Sequence, residues 1–373
     1  MDHADYLRKL EMLVDTDSGS GDAEGVGEVA RRLAQWYREA GWHTTAVKLD
    51  EACGPLLIAE NHPGAAHYDA MFVGHMDTVF PRGTVQRRPF SRRGDRCYGP
   101  GVEDMKSGDA AMLAIAAGIS RKATEKLNIL MCHNPDEEIG SIYSAAKMDE
   151  YGAKADRIFV MESAQKGNAH CFQRKGRTDV TVRFHGIAGH AGFVFQVRTA
   201  SAVSAMARFI TALDQLADRE KETSVNVGLV TGGTAVNVVA DEAELSAEIR
   251  YWTDAEQQRI EQAVKRLAAH PGVDGVSAEI TRWRVQPAWD QTPQGLAYIE
   301  QVKAKAAELG IAFDARRRGG LSDANHLCRV CPVILDGMGP VGEFGHSEKE
   351  TLYLDTVDDC VRLHIALLEE LAQ

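Results

Sequence analysis

Two histidines and a set of carboxylates recur along this chain where short apolar runs give way to polar or glycine-rich segments. The run DAMFVGH delivers His75, and Asp77 follows two positions later, so both lie on one side of an extended chain. Asp104 stands 104 − 77 = 27 residues further on, in the glycine-rich GPGVEDMKSGD. LNILMCHNPDEEIGS presents the adjacent Glu137 and Glu138, RIFVMES brings Glu162, and the late segment GEFGHSEKE offers His346. Two imidazoles and several carboxylates that converge make a mixed nitrogen and oxygen site suited to zinc, cobalt or manganese. Asp77 fits an acceptor that orients the His75 imidazole better than a ligand. Asp104 could bridge two ions about 3.5–4 Å apart, the spacing of two-metal hydrolases. The pair Glu137 and Glu138 invites a division in which one binds metal and the other takes a proton from the activated water. Singly, each residue has a plainer reading: a hydrogen-bonded histidine, a solvated Glu pair, an Asp capping the next helix. Their joint placement favours a metallohydrolase.

Such groups need elements that bring them together. Helical spacing marks residues 4–14 and 24–40, the latter through Val26, Val29, Leu33, Trp36 and Tyr37. The runs PLLIAE, YDAMFVGH, LNILMCHN and RIFVMES are apolar throughout and alternate with helices, one of them at about 107–121. That pattern predicts an α/β layer with a mixed, mainly parallel sheet covered on both faces, and open sheets of this kind form sites at the carboxyl ends of their strands. From about residue 175 the texture changes to one-sided strands. DVTVRFHG alternates, a helix covers 199–217, strands lie near 224–230 and 243–252, and a helix at 254–269 precedes a strand at 276–284. This β-α-β-β-α-β order predicts an inserted, ferredoxin-like α+β domain over 175–286, with residues 1–174 and 287–373 forming one discontinuous catalytic domain. After Pro287 come a helix at 293–309, the strand VCPVILDG and a helix at 356–371.

The chain has 373 residues, enough for two or three domains at about 150 residues each. Its 42 basic and 54 acidic residues sum to −12, which argues against non-specific binding to nucleic acid or anionic membrane. No stretch reads as a targeting segment or membrane span, and seven scattered cysteines fit free thiols in a reducing cytoplasm. The single CxxC, Cys328 to Cys331, has no second pair to complete a zinc site and reads as structural. GSGDAEG at 19–25 misses the GxGxxG spacing and follows a helix, so a nucleotide-binding reading is disfavoured. Arg316, Arg317 and Arg318 read as a solvated face more readily than as an anion trap.

The ordered set GHMDTVFP, YGPGVEDMKSG, DEEIGS, Glu162, GHAG, NVV, EIRY, GGLSDAN and FGHSEKE resembles a family of zinc metallopeptidases. It is the family of glutamate carboxypeptidase, acetylornithine deacetylase and succinyl-diaminopimelate desuccinylase, and the glutamate carboxypeptidase branch is the most similar. The resemblance implies a zinc-exopeptidase-like catalytic domain with two zincs, one held by His75, Asp104 and Glu162, the other by Asp104, Glu138 and His346. It implies that Asp77 orients His75, that Glu137 is general base and acid, and that a cis peptide follows Asp104. It implies a homodimer formed through the inserted lid domain, in which His190 of GHAG reaches the partner's active site and stabilises the oxyanion. Asn237 and Arg250 match positions that bind substrate. In AELSAEIRYW, Arg250 shares the polar face with Ser246 and Glu248 and is free to meet a carboxylate.

The expected activity is therefore hydrolysis of an amide bond next to a free carboxylate on a small substrate, with a bridging hydroxide as nucleophile. An N-acyl-amino-acid deacylase or a dipeptidase is the alternative within the family, and a catalytically silent metal- or ligand-binding relative is the alternative outside it. Ala240, Ser163 and Leu321 depart from residues common in the family, which touches substrate preference and leaves every ligand and the base in place.

Overall fold

A computed structural model describes residues 2–373. The apolar runs form a six-stranded sheet ordered His43–Val47, Leu56–Glu60, Ile129–Asn134, Ala70–His75, Ile158–Val160 and Ile334–Leu335. Ile129–Asn134, Ala70–His75, Ile158–Val160 and Ile334–Leu335 are joined by parallel pairings, whereas Leu56–Glu60 is antiparallel to both of its neighbours. Leu56–Glu60, Ala70–His75, Ile129–Asn134 and Ile158–Val160 are buried at every position, which is why their sequences show no alternation. Helices Ala23–Glu39, Lys106–Gly118, Pro293–Glu308 and Val357–Leu371 close a single core with them, built from residues such as Leu33, Phe72, Met112, Val302 and Leu367. Val26, Val29, Leu33, Trp36 and Tyr37 all point into that core.

Of the expected strand VCPVILDG, only Ile334–Leu335 pairs in the sheet. Its place beyond Pro332 fits a residue that supplies no N–H to a ladder. A second sheet of five short strands joins Ser163–Ala164 to Gly339–Glu343 in parallel, so the chain leaving Glu162 runs beside the chain approaching His346. Among the described residues no helix is long and apolar enough to cross a membrane.

The chain divides into two compact units. The first holds the chain up to Gln173, Gln291–Arg318 and Ser322–Gln373; the second holds Arg174–Asp290 and Gly319–Leu321. These limits shift the sequence-based ones of 1–174, 175–286 and 287–373. The backbone of Arg174 pairs with that of Trp289, and its guanidinium donates to the carbonyls of Gly320 and Leu321, so all of these join the second unit. That unit is a four-stranded antiparallel sheet ordered Ser224–Gly232, Glu242–Tyr251, Gly176–His185 and Ser277–Gln286. Helices Ala202–Asp214 and Asp254–Ala269 bury one face of it over Val180, Val182, Phe184, Leu245 and Ile249. Alternation in the sequence follows directly, since the opposite face is only partly buried.

Phe72 sits at the centre of the first core, fully buried, 4.9 Å from the Phe159 ring and 5.5 Å from that of His364. Phe72→Ala removes both ring contacts and leaves a cavity, and is expected to lower stability by about 3–5 kcal/mol. A urea unfolding midpoint within error of the parent's would contradict this.

Candidate dinuclear metal centre

The parallel strands all end at one edge of the sheet, and the chemistry collects there. His75 is the last residue of its strand, Glu137 and Glu138 form a short 3-10 turn just past Asn134, and Glu162 lies two residues past Val160. Asp104 immediately precedes helix Lys106–Gly118 and is joined to Met105 by a cis peptide. Gly108, in the first turn of that helix, faces the Met161 carbonyl; a Cβ there would come within 2.2 Å of the oxygen. Glycine thus lets the Asp104 segment press against the strand end that carries Glu162. His346 reaches the site from a loop in the left-handed conformation, φ 62°, which costs a non-glycine residue about 1 kcal/mol or more.

Two ligand groups result. His75, Asp104 and Glu162 offer donor atoms within 4.8 Å of one another, and so do Asp104, Glu138 and His346. His75 Nε2 lies 3.1 Å from Asp104 Oδ1 and 3.5 Å from Glu162 Oε1. His346 Nε2 lies 3.0 Å from Asp104 Oδ2 and 3.0 Å from Glu138 Oε2. The two oxygens of one carboxylate therefore face two different imidazoles. Donors about 2 Å from a tetrahedral ion lie roughly 3.3 Å apart, and the four separations bracket that value. Glu138 Oε1 is buried and lacks any hydrogen-bond partner among the described residues, as befits an oxygen meant for a cation. The residues fit a pair of divalent ions.

Electrostatics agrees. Burial, reinforced by Glu162, Asp323 and Glu138, pushes Glu137 well above the ordinary carboxylate range, against a smaller opposing pull from His75. Burial likewise raises Glu138, to about 7, and Glu162. Burial acts to depress His75, yet Asp104, Asp77 and Glu162 overcome it and hold the imidazole well above its usual value. Asp104 stays low because two imidazoles outweigh its own desolvation. Crowded carboxyls that raise one another are the setting in which divalent cations are most stabilising.

The loops are held by backbone N–H groups donating to further carboxylates. Asp77 meets His75 mainly through its backbone carbonyl, 3.0 Å from Nδ1, with Oδ1 at 3.4 Å. Its carboxylate also accepts the N–H of Glu137 and of Glu138, each at 3.1 Å, and the Ser20 hydroxyl at 2.6 Å. Glu350 accepts the N–H groups of Gly101, Glu103 and Asp104. Sequence reasoning missed Ser20 and Glu350. Ser20 lies in the GSGDAEG segment, where Asp22 caps the following helix, and Glu350 closes the FGHSEKE segment already marked by His346. A cleft of about 640 Å³, lined in part by Thr78, Val79, Phe80, Pro81 and Ile139, opens beside Glu138.

The remaining candidates lie in the second unit. His190 is exposed in the pair Gly189–His190, and its Nδ1 accepts the Gly192 N–H at 3.1 Å, which leaves the neutral ring's proton on Nε2. Asn237 is exposed, and its carbonyl accepts the Ala191 N–H. Arg250 is not free, as the strand pattern suggested. Its Nε and Nη2 grip Glu248 at 2.7 and 3.2 Å, and Nη1 donates to the Gly319 carbonyl. Residues two apart share a strand face, so the same alternation that exposes Arg250 supplies its partner.

In strand Asp314–Arg318 of the first unit, Arg318 donates to the carbonyls of Ser163 and Ala169, and Arg316 pairs with Asp314. Among the described residues no disulfide joins any of the cysteines; Cys331 is buried and its thiol pushed up to about 11 by that burial. A third cluster, His67, Asp69 and Asp156, is largely exposed and lies at the opposite end of the strands.

The model of peptidase family M20/M25/M40 matches residues 71–370. The chain is 25% identical over 367 residues to carboxypeptidase G2 of Pseudomonas sp. (strain RS-16), covering 96% of this chain and 87% of that protein. It is 26% identical over 336 residues to succinyl-diaminopimelate desuccinylase of Gluconobacter oxydans (strain 621H), covering 82% of each. In fold it is similar to a tripeptidase from Staphylococcus aureus, with a TM-score of 0.80 at 21% identity over 100% of this chain and 99% of that one.

Because Asp104 faces both groups while Glu162 faces one, Asp104→Ala is expected to release both ions and Glu162→Ala only one. Metal content after dialysis checks this, and an Asp104→Ala protein retaining two equivalents would contradict the bridging role.

Proposed function

The chain belongs to peptidase family M20/M25/M40, and from that premise we propose that this metallohydrolase is a dinuclear zinc enzyme that cleaves an amide bond next to a free carboxylate. The observation that carries the reading is the Asp104 carboxylate, one oxygen turned to each histidine-containing ligand group. His75, Asp104 and Glu162 would hold one ion, and Asp104, Glu138 and His346 the other. Two such ions would supply the Lewis acidity that polarises the scissile carbonyl and makes the attacking water more acidic, and cobalt or manganese would serve the same end.

Glu137 then takes the proton from the attacking water and returns it to the departing amine. A carboxyl raised by burial is suited to both steps, because its affinity for a proton lies closer to those of donor and acceptor at neutral pH. The Asp77 carboxylate fixes the Glu137 backbone, so the base is aimed before substrate arrives. His190, with its proton on Nε2, would donate to the developing oxyanion from the partner subunit of a homodimer. Support for a homodimer through the second unit comes from the edge strand Ser224–Gly232, which exposes Leu229 and Val230. Arg250 would receive the substrate carboxylate by exchanging Glu248 for it, with Asn237 adding a polar contact. The apolar part of the substrate would lie along Val79, Phe80 and Ile139. Cysteines that form no disulfide among the described residues support a reducing, cytoplasmic setting.

The similarity to the desuccinylase favours a second reading, removal of an acyl group from an amino acid. Amine release over a panel of N-acyl amino acids and dipeptides, with zinc-loaded protein, separates the two. Rates governed by an acidic carboxyl-side residue support carboxypeptidase action, and rates governed by the acyl group support deacylation. Glu137→Gln is expected to keep both ions and lose at least about 10²–10⁴-fold in kcat. A variant retaining most of its turnover would remove Glu137 from the mechanism.

A further inference from the structure

The GGLSDAN segment carries a buried carboxylate that no step above uses. Asp323 is 2% exposed and belongs to the same unit as the metal centre. Asn134 Nδ2 reaches its two oxygens at 2.9 and 2.8 Å, and the Ser141 hydroxyl donates to Oδ1 at 2.6 Å. His326 Nε2 lies 3.2 Å from Oδ1, while its Nδ1 lies 2.7 Å from Asp149. Burial acts to depress His326, but these two carboxylates raise it to about 9, so the ring is cationic at neutral pH and donates from both nitrogens.

The partners of Asp323 are the two ends of the loop that bears Glu137 and Glu138. Asn134 closes the strand before it, and its Oδ1 accepts the Asp136 N–H and the Ser144 hydroxyl. Ser141 closes the turn after it, in the left-handed conformation at φ 53°, with its N–H on the Asp136 carbonyl. A non-glycine residue holds that conformation only when its surroundings fix it, and here the side chain is fixed between Asn134 and Asp323. Asp149, beyond His326, lies in helix Ala145–Gly152, which takes up the chain directly after the loop. Asp77 holds the middle of this loop by its backbone N–H groups, and Asp323 holds its two ends.

We propose that Asp323 is the positioning residue of the Glu137–Glu138 loop, fixing the base and the Glu138 ligand together through Asn134, Ser141 and the His326–Asp149 pair. The proposal rests on the reading of Glu137 and Glu138 given above. Its effect is selective, because Asp323 reaches the side chains of Asn134 and Ser141, whereas the His75 strand end meets Asn134 only through the backbone ladder and Glu162 stands on another strand end.

The test is calorimetric titration of metal-free protein with Co²⁺, comparing parent, Asp323→Asn and Ser141→Ala. In Asp323→Asn, one of the two ions is expected to bind as in the parent and the other about 10-fold more weakly. Adding Glu162→Ala should leave the weakened site as the one that remains. Ser141→Ala should shift the same site in the same direction, and it carries the test if Asp323→Asn does not fold. At saturating Co²⁺, kcat should fall about 10-fold or more while KM moves less than about threefold. Equal weakening of both ions, the mark of a merely structural role, would overturn the proposal, as would no change in either. Selective loss of one ion in a protein whose parent hydrolyses nothing would uphold the positioning role and reject the hydrolase reading instead.

Discussion

Asp104, Glu137, Glu138 and Glu162 bring four carboxyl groups to one end of a buried sheet, where water no longer screens them. Burial in that setting raises the proton affinity of Glu137, Glu138 and Glu162, and the like charges beside them add to it. Protons would relieve the repulsion, but so would cations, and the two imidazoles stand where cations would complete the shell. His75 and His346 each face two carboxylates. An arrangement so poorly suited to a protein without ions is explained when two divalent charges are the intended occupants. The fold around it can then be understood as the means of holding acids together against their own repulsion.

Two kinds of support achieve this. The first is the sheet, which delivers His75, Glu162 and the Glu137–Glu138 turn from three adjacent parallel strands and thereby sets their spacing. The second is further carboxylates that accept backbone N–H groups instead of facing the ions. Glu350 gathers three N–H groups from the loop of Asp104, and Asp77 gathers two from the loop of Glu137. In Glu350 burial raises the carboxyl to about 7 against the opposing pull of its three N–H donors, and such bonds rigidify the segment that supplies them. Acidic residues thus outnumber those needed as ligands, and the surplus positions the rest.

Much of this was legible in the sequence. Strand ends announce themselves by an apolar run that stops, and His75, Glu137, Glu138 and Glu162 all follow such a stop. The helix after Asp104 and the one-sided strands of the second unit were equally plain in their periodicities. Pairing was not. Nothing in PLLIAE says that Leu56–Glu60 lies antiparallel to both neighbours, because burial on two faces erases the pattern that distinguishes orientations. Arg250 read as available because alternation reports which face a side chain takes and says nothing of what lies beside it on that face. The duties of Ser20 and Glu350 depend on loops 57 and about 250 residues away in the chain, and local spacing carries no trace of them.

The two halves of the centre are built unequally. His75 and Glu162 stand at or just beyond the ends of buried strands, and their side chains are 1% and 15% exposed. Glu138 and His346 come from turns; the Glu138 side chain is 6% exposed, and that of His346 is 57% exposed on a backbone held at φ 62°. Strand ends embedded in a core move only with the core, whereas a turn can open at a fraction of that free energy. The left-handed strain at His346 is consistent with this division, since a ligand placed against its backbone preference is held by what it binds as much as by the chain that bears it. What keeps these segments in place is the pair of carboxylates that grip the backbone, Asp77 at Glu137 and Glu138 and Glu350 at Gly101, Glu103 and Asp104.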